Sequence, residues 1–296
     1  MRIAITGSSG LVGTALSKRL TREGHDVVPV VRSAPGDGEI GWSVDERRIE
    51  PGAFDGIDAV VHLAGAGIGD QRWSDDYKRE ILSSRTVGTA LVAEAVNDAT
   101  DPPATLLSGS AVGYYGSSLQ ATFHEGAPAG DGFLAETCEA WEAAAAPASS
   151  GGTRVALLRT GIVLSAEGGA LKKQLPLFRF GLGGKLGSGE QWQSWIHIDD
   201  EVGAIVHLLT SDVEGPVNLT APGPVTQSEF ADTLGDVLNR PTFLPIPEFG
   251  PKLVLGSELA ENLLFTGQRV RPTVLEEDGY DFTHPTLGGA LRDLLA

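Results

Sequence analysis

The sequence predicts an α/β fold, a doubly wound parallel sheet followed by a smaller C-terminal lobe. Two observations support this prediction. Short apolar runs alternate with longer helical patterns through about the first 165 residues, and this alternation is typical of parallel βαβ units with right-handed crossovers. After about residue 165 the alternation becomes irregular and glycines cluster, which indicates a change of architecture.

The first βαβ unit has the clearest pattern. Arg2–Thr6 is a short apolar run that predicts a strand. Leu11–Glu23 has apolar residues at helical spacing and stops at Gly24, as expected for an amphipathic helix. Asp26–Val31 is rich in valine and predicts a second, buried strand.

The same alternation continues through the middle of the chain. Apolar runs predict strands at Ala59–Leu63, Ala104–Ser108 and Arg154–Leu164. Helical patterns occupy Arg79–Ala99 and Phe133–Ala146 between them. Each strand is therefore followed by a helix that can cross over to the next strand.

Shorter elements follow in the C-terminal part. Strands are predicted at Ser194–Asp200 and Val217–Leu219, and helices at Asp200–Leu209, Ser228–Leu238 and about 250–264. The chain is therefore expected to return to the sheet before it completes the lobe.

Composition and charge exclude several classes of protein. The chain has 22 Lys and Arg against 39 Asp and Glu, a net charge of −17, which argues against binding nucleic acid or an anionic membrane. No run of 18 apolar residues occurs, as a membrane span would require. Cys138 is the single cysteine, so disulfides and cysteine-rich metal sites are not expected. With no signal-peptide pattern at the N-terminus, we expect a soluble cytoplasmic protein.

A glycine-rich turn links the first strand to the first helix. It reads Gly7-Ser8-Ser9-Gly10-Leu11-Val12-Gly13, a spacing that permits a tight turn, close approach of a pyrophosphate and close helix packing. The helix N-terminus adds free N–H groups for phosphate oxygens. An ordinary βα turn is the alternative. We predict a Rossmann-type dinucleotide site with contacts at Gly7, Gly10, Leu11, Val12 and Gly13.

The residue after the second strand indicates which dinucleotide binds. A carboxylate there would bind the ribose 2′-hydroxyl of NAD, but the chain has Arg32, and the nearest acidic residue beyond it is Asp37. A guanidinium pairs well with a phosphate. The sequence therefore favours NADP(H), the alternative being that Arg32 is a solvated surface charge.

These motifs, with others along the chain, resemble an extended short-chain dehydrogenase/reductase of the atypical epimerase family, whose members carry a small C-terminal add-on domain. The resemblance covers essentially the whole chain. The matching stretches are Thr6–Gly13, His62–Gly65, Arg72-Trp73, Ser84-Arg85, Ser110–Gly116, Leu158–Gly161, Trp195–Asp200, Gly267–Pro272 and Gly279–Phe282.

The resemblance implies NADP(H) binding, with contacts at Arg32, Leu63, Ala64, Glu80, Arg85 and Val163. The residues agree in part, because Leu63 and Ala64 end a strand at the carboxyl edge of the sheet, where such folds bind ligands. Glu80 and Arg85 lie on the following helix, and an exposed helical charge pair is their alternative interpretation.

We divide the chain accordingly. Residues 1–165, joined by about 194–220, form the predicted NADP(H)-binding Rossmann domain. Residues 166–193 and 221–296 form the predicted substrate-side lobe.

The catalytic residues depart from the wider superfamily. Its members carry Tyr-x-x-x-Lys on a helix, whereas residues 133–138 here contain neither tyrosine nor lysine. Ser110, Tyr114 and Tyr115 remain at the end of the fourth strand. A phenol with a pKa near 10 is only about 0.1% ionised at pH 7, so it would act as a neutral donor. Tyr115 is the first choice and Tyr114 the second, and lining of the substrate pocket is their alternative role.

Other candidate residues have simpler explanations. Asp200 stands at a predicted helix start, where a capping role is expected. His197 and His62 are interpreted as structural, and the six histidines show no ligand spacing, so no metal site is expected. A Gly-x-Ser-x-Gly turn is also absent, which leaves a hydrolase without a nucleophile.

Two functions therefore remain open. The first is an NADP(H)-dependent oxidoreductase or epimerase-like enzyme that acts by hydride transfer on an unknown small carbonyl or sugar-like substrate, as a monomer or homodimer. The second is a non-catalytic NADP(H)-binding sensor or assembly protein, which the missing Tyr-x-x-x-Lys pair favours.

Overall fold

The computed structural model describes residues 1–296. It contains fourteen strands: β1 (Arg2–Thr6), β2 (Asp26–Val31), β3 (Ile40–Ser43), β4 (Arg48–Ile49), β5 (Ala59–His62), β6 (Thr105–Ala111), β7 (Thr122–Phe123), β8 (Arg154–Thr160), β9 (Ile162–Leu164), β10 (Trp192–Gln193), β11 (Trp195–His197), β12 (Gly215–Leu219), β13 (Val225–Thr226) and β14 (Arg269–Val270).

The ten α-helices are α1 (Leu11–Arg22), α2 (Asp75–Asp98), α3 (Phe133–Ala145), α4 (Gly169–Arg179), α5 (Ile198–Thr210), α6 (Gln227–Leu238), α7 (Phe249–Leu255), α8 (Ser257–Ala260), α9 (Thr273–Glu277) and α10 (Leu287–Leu295). Short 3₁₀ turns occur at Val112–Tyr115 and Ala146–Gly151, and a π turn at Glu261–Phe265. None of these helices has the length and apolar character needed to cross a bilayer.

The central sheet has eight strands in the order β12-β8-β6-β5-β1-β2-β3-β4. All neighbouring strands are parallel except β3 and β4, which pair antiparallel. Helices α1 and α5 pack together on one face, and α2 and α3 pack together on the other. The structure therefore confirms the predicted doubly wound α/β sheet, whose parallel strands end at one common edge.

Residues of β1 show how the sheet separates two cores. Ile3 and Ile5 point to the face covered by α1 and α5, and Ala4 points to the face covered by α2. All three are completely buried, because alternate side chains of a strand point to opposite faces and helices cover both faces of a parallel sheet.

A third core lies outside the sheet. Its largest members are Phe178 of α4, Trp195 of β11 and Phe230 of α6, and α10 adds Leu287 and Leu291. The predicted boundaries of the lobe stay a prediction, and this separate core is the packing that such a lobe requires.

One predicted strand is in fact two. The predicted strand Arg154–Leu164 breaks at Gly161, after which β9 leaves the main sheet and pairs with β11. A Cβ at Gly161 would lie 2.4 Å from the carbonyl oxygen of Ser194. The break therefore depends on a close contact with a segment more than thirty residues away.

Helix α2 begins at Asp75, earlier than the predicted Arg79. Ser74 caps it, because its Oγ accepts a hydrogen bond of 3.2 Å from the Tyr77 N–H. The prediction also missed β3, β4, α4 and α10. Strands β3 and β4 are only four and two residues long, and the two helices pack in the third core.

The predicted capping role of Asp200 is wrong. Helix α5 starts at Ile198 and is capped by His197, whose Nδ1 accepts the Asp199 N–H at 3.0 Å. The completely buried Asp200 carboxylate accepts the backbone N–H groups of Thr283 and His284, each at 2.8 Å. Asp200 therefore fastens the C-terminal segment to the sheet domain, and the structural interpretation of His197 is confirmed.

A buried acid lies one residue further along α5. Glu201 is 1% exposed. One of its carboxyl oxygens accepts a hydrogen bond of 2.8 Å from Thr160 Oγ1, and the other has no partner. Burial raises the pKa of Glu201 to about 8, so the folded protein holds this side chain neutral at pH 7.

This raised pKa predicts a pH-dependent stability. Between the ordinary glutamate pKa and about 8 the unfolded chain has lost the Glu201 proton while the folded chain keeps it, so stability falls as pH rises through this window. Glu201→Gln removes the titration. Its free energy of unfolding in urea, relative to that of the parent, should therefore rise by roughly 4 kcal/mol between pH 5 and pH 8.

The exposed substitution Glu94→Gln is the control and should follow the parent at both pH values. An equal difference between the parent and Glu201→Gln at pH 5 and pH 8 would contradict the assignment.

Candidate functional site

The turn between β1 and α1 is packed so tightly that two of its glycines have no substitute. Gly7 has φ of +68°, and a Cβ there would lie 2.9 Å from the carbonyl carbon of Leu63. A Cβ at Gly13 would lie 2.1 Å from the Gly7 carbonyl oxygen. At Gly10 the nearest atom would be the Gly7 oxygen at 3.3 Å, so this position borders open space.

The N-terminus of α1 is open toward that space. Gly10 is its N-cap, no side chain caps the helix, and its first turn contains no acidic residue. The amides of Leu11 and Val12 therefore meet no competing carboxylate. An uncapped helix N-terminus of this kind suits a phosphate group.

A buried histidine fixes the neighbouring end of β5. His62 Nδ1 lies 2.7 Å from Thr6 Oγ1, and its Nε2 lies 3.0 Å from Thr89 Oγ1. Burial lowers the pKa of His62 to about 4, so the ring is neutral. Thr6 Oγ1 also accepts the N–H groups of Leu63 and Ala64, at 3.1 and 3.2 Å. The structure thereby brings these two residues against the glycine turn.

Arg85 is a buried cation without an acid partner. It is 7% exposed, and its Nη1 donates to the carbonyl oxygens of Ala66 and Ile81 at 2.9 and 3.1 Å. Its guanidinium carbon lies 4.9 Å from the Trp141 ring, and burial lowers its pKa. Glu80 is exposed and forms no ion pair with it. The alternative of an exposed charge pair is therefore wrong.

Two further predicted contacts lie in separate parts of the structure. Arg32 follows the last residue of β2 and is exposed, with no ion pair. Val163 lies in β9 and is half-buried. Its carbonyl oxygen would be 3.4 Å from a Cβ at Gly169, and the same Cβ would touch Leu11. The β9–α4 turn therefore closes against the first turn of α1.

The residues predicted for catalysis surround a buried ion pair. Arg159 is 3% exposed, and it donates from Nε and Nη2 to the two carboxyl oxygens of Glu142, at 2.7 and 2.8 Å. Ser110 Oγ donates to the same carboxylate at 2.7 Å. Arg159 Nη1 donates to the Tyr115 hydroxyl oxygen at 2.9 Å.

The two tyrosines differ in what their hydroxyl groups can do. Tyr115 is 2% exposed and donates to Asn218 Oδ1 at 2.7 Å, and burial is the main cause that raises its pKa. Tyr114 is half-buried, its ring lies 3.5 Å below the Arg159 guanidinium, and its hydroxyl makes no hydrogen bond within the protein. The catalytic assignments stay predictions, and these contacts give Tyr115 a positioning role.

Sequence reasoning missed Arg159, Glu142, Asn218 and Glu125, which complete this network. Glu125 Oε1 accepts the backbone N–H groups of Asn218 and Val274, at 3.2 and 3.1 Å. One available indication was Arg159 itself, a charge that directly follows the apolar run of residues 155–158 in β8. Such a residue requires a buried partner, but the sequence does not say which.

The structure gathers a histidine–aspartate cluster that sequence spacing did not predict. His197, Asp199, His284 and Asp293 bring ligand atoms within 4.8 Å of one another. The two histidine rings stack with centroids 3.8 Å apart. Because His197 Nδ1 accepts the Asp199 N–H, a neutral ring carries its proton on Nε2, which faces Asp293 at 3.3 Å. This buried Nε2 makes no hydrogen bond, and the stacked rings bring α5 next to the segment that precedes α10.

A groove of about 710 Å³ lies between this histidine–aspartate cluster and the glycine turn. It runs along α1 from Gly10 to Arg22, and the turn before α4 forms its other side. Lys18 and Arg22 line it together with Glu167 and Asp293. Its charges therefore nearly balance, and they indicate no particular ligand.

The helix that lacks the Tyr-x-x-x-Lys pair lies against the turn that holds the tyrosines. Cys138 of α3 would lie 3.8 Å from a Cβ at Gly113. Burial raises the pKa of the Cys138 thiol to about 11, and Arg85 lies close enough to oppose that shift. The thiol is therefore inert at neutral pH, and the nearby cation belongs to α2.

Comparison with known proteins agrees with this arrangement. Residues 3–220 match the model of the "NAD dependent epimerase/dehydratase family", and residues 246–294 match a "Domain of unknown function (DUF1731)". The chain is 44% identical to "Epimerase family protein Mb2239" of Mycobacterium bovis over 291 residues, 98% of this chain and 96% of that protein.

Human relatives extend the match to structure. The chain is 40% identical over 301 residues to "Epimerase family protein SDR39U1" of Homo sapiens, with 100% of both chains covered. The crystal structure of human epimerase family protein SDR39U1 (isoform2) with NADPH has a TM-score of 0.90 and 38% identity, with 99% of both chains covered. The resemblance drawn from the motifs is confirmed, and the chain belongs to the NAD-dependent epimerase/dehydratase family.

Proposed function

We propose that the protein binds NADP(H) and transfers hydride to or from a small carbonyl or sugar-like substrate. The observation that carries this proposal is the presence, near the carboxyl ends of β1 and β5, of an uncapped helix N-terminus and a buried guanidinium without an acid partner. Burying Arg85 without a counter-charge is costly, and the phosphate and ribose oxygens of a dinucleotide would offset that cost. The human relative solved with NADPH supports the same cofactor.

The preference for the phosphorylated cofactor rests on Arg32. This side chain is exposed at the carboxyl end of β2 and makes no ion pair. In Rossmann folds this position faces the adenine ribose, where a carboxylate would exclude a 2′-phosphate. A free guanidinium there favours NADP(H) over NAD(H).

The chain's own groups limit how a proton reaches the substrate oxygen. Bound NADPH would supply the hydride. Tyr115 and Ser110 have their hydroxyl protons engaged by Asn218 and Glu142, whereas the Tyr114 hydroxyl is unpaired. We therefore favour Tyr114 as the neutral donor and assign Tyr115 to hold the turn. Arg85 beside Cys138 places a cation near α3, where this chain lacks a lysine.

A non-catalytic NADP(H) sensor is the second candidate. The observation that favours it is the same network, because Ser110 and Tyr115 are bound to Glu142, Arg159 and Asn218. A protein that only binds the cofactor would need no free proton donor at this edge.

The first prediction concerns NADPH binding by the glycine turn. Gly10→Val should remain folded, because only the Gly7 oxygen would lie within 4 Å of the new Cβ, at 3.3 Å, and Gly10 has an extended backbone with φ of −74°. The side chain would nevertheless occupy the space required by the pyrophosphate. NADPH affinity should fall by at least about tenfold, measured by calorimetry. Gly13→Ala, with a 2.1 Å backbone contact, should instead lower thermal stability. If Gly10→Val binds NADPH as tightly as the parent, the glycine turn is not the pyrophosphate site.

The second prediction concerns cofactor choice. Arg32→Ala removes the charge-assisted contact to the 2′-phosphate and should weaken NADPH binding about ten- to a hundred-fold. NADH binding should hardly change, because NADH has no such phosphate. Arg47→Ala, another exposed arginine without an ion pair, is the control. Equal affinity of the parent for both cofactors by calorimetry would refute the preference.

The third prediction separates the tyrosines. NADPH oxidation is measured with a panel of activated carbonyls, including quinones and short aldehydes. Tyr114→Phe should lower kcat by about a hundredfold, with NADPH affinity unchanged. Tyr115→Phe should lower the melting temperature and change kcat less than about tenfold, because its hydroxyl holds structure.

The reverse ranking would restore Tyr115 as the donor. If the parent binds NADPH but turns over no carbonyl of the panel, the non-catalytic NADP(H) sensor becomes the favoured function.

A further inference from the structure

The loop between β5 and α2 is held in an unusual way. Four consecutive carbonyl oxygens, those of residues 66–69, each accept a hydrogen bond from a different side chain. In chain order the donors are Arg85 Nη1 at 2.9 Å, the Tyr77 hydroxyl, Trp73 Nε1 at 2.9 Å and Lys173 Nζ at 3.3 Å. The first three donors belong to α2 or to the segment before it. Lys173 belongs to α4, which is distant in sequence.

This arrangement leaves a row of backbone donors without acceptors. The amides of Gly67, Ile68 and Gly69 make no hydrogen bond within the protein, although all three residues are partly buried. Their orientation is fixed in advance, because each carbonyl of the loop is already held. Preorganised backbone N–H groups of this kind stabilise an oxyanion far better than mobile donors do.

Unpaired cations lie beside the same loop. Lys173 has no carboxylate within ion-pair distance, and its contact with Gly69 engages one of its three N–H groups. Arg72 donates to the carbonyl oxygens of Leu253 and Val254 and also lacks an acid partner. Asp70, the one acid of the loop, is exposed, and its carboxylate lies against Gly67, since a Cβ at Gly67 would be 2.0 Å from Asp70 Oδ2. Lys173 and Arg72 outnumber this one carboxylate, so the loop keeps a net positive charge in a chain with a net charge of −17, and this favours an anionic ligand.

The loop borders the predicted cofactor cleft. It continues directly from Leu63 and Ala64, which pack against Gly7. Trp73, just beyond the loop, packs edge-to-face against Phe133 at the start of α3, with the two ring centroids 5.1 Å apart. Lys173 reaches it from α4, whose first residue packs against Leu11. The unpaired amides therefore lie between the glycine turn, α3 and the lobe.

We propose that Lys173 and the amides of Gly67–Gly69 receive an anionic oxygen group of the substrate, a carboxylate or a phosphoryl group. The proposal rests on the proposed function, since it places this group beside bound NADP(H). An ammonium and backbone N–H groups together make charge-assisted hydrogen bonds to such oxygens. The substrate would then be an acidic or phosphorylated carbonyl compound.

The test uses the full chain saturated with NADPH, so that the phosphate sites of the cofactor are already occupied. Inorganic phosphate and acetate are titrated separately, followed by calorimetry and by the amide resonances of residues 67–69. At least one anion should bind and move these resonances. Lys173→Gln should weaken that binding by at least about tenfold. Lys172→Gln is the matched control, because both lysines are exposed on α4 but Lys172 donates to the carbonyl oxygen of Glu167 instead.

Stronger binding of phosphate would identify a phosphoryl group, and stronger binding of acetate a carboxylate. The proposal is overturned if neither anion moves the resonances, or if Lys173→Gln binds as tightly as Lys172→Gln. NADPH affinity is measured first for each protein. Failure of the parent to bind NADPH would count against the proposed function, whereas loss of anion binding alone would count against this site.

Discussion

The structure around the candidate site depends on the buried ion pair between Arg159 and Glu142. Both nitrogens that face the carboxylate are engaged, and the third donates to Tyr115 and to the Glu125 carbonyl oxygen. A buried ion pair is tolerated only when its remaining donors and acceptors are satisfied. The surrounding polar residues therefore form one unit, and this unit joins β6, β8 and α3 at the carboxyl edge of the sheet.

This polar unit fixes the side chains at the carboxyl edge of the sheet, and it also limits which of their hydroxyl groups are free to donate a proton. Ser110 and Tyr115 lie at the carboxyl end of β6, yet the hydroxyl of each is used to satisfy the ion pair or its neighbours. A hydroxyl that completes a buried network is costly to withdraw. Of these hydroxyl groups the network leaves only that of Tyr114 unpaired, and the ring of Tyr114 lies against Arg159.

Much of the fold, and the glycine turn predicted to bind the cofactor, could be recognised from the sequence because both depend on local patterns. The spacing of Gly7 and Gly13 follows from backbone geometry within one turn, and the β1–α1–β2 unit follows from hydrophobic periodicity. Gly161 and Asp200 were misjudged for the opposite reason. Their partners, Ser194 and residues 283–284, are distant in sequence, and no local pattern reveals such contacts.

The hold of Asp200 on residues 283–284 has a consequence for how the chain matures. The last fourteen residues include the only N–H groups that pair with this buried carboxylate, and Leu287 and Leu291 complete the third core. A chain emerging from the ribosome can form β1 to β8 early, but Asp200 lacks these partners until residues 283–284 have also emerged. Docking of this segment is therefore a late step of folding, and a chain cut before residue 283 would leave the Asp200 carboxylate without its backbone hydrogen bonds and the third core incomplete.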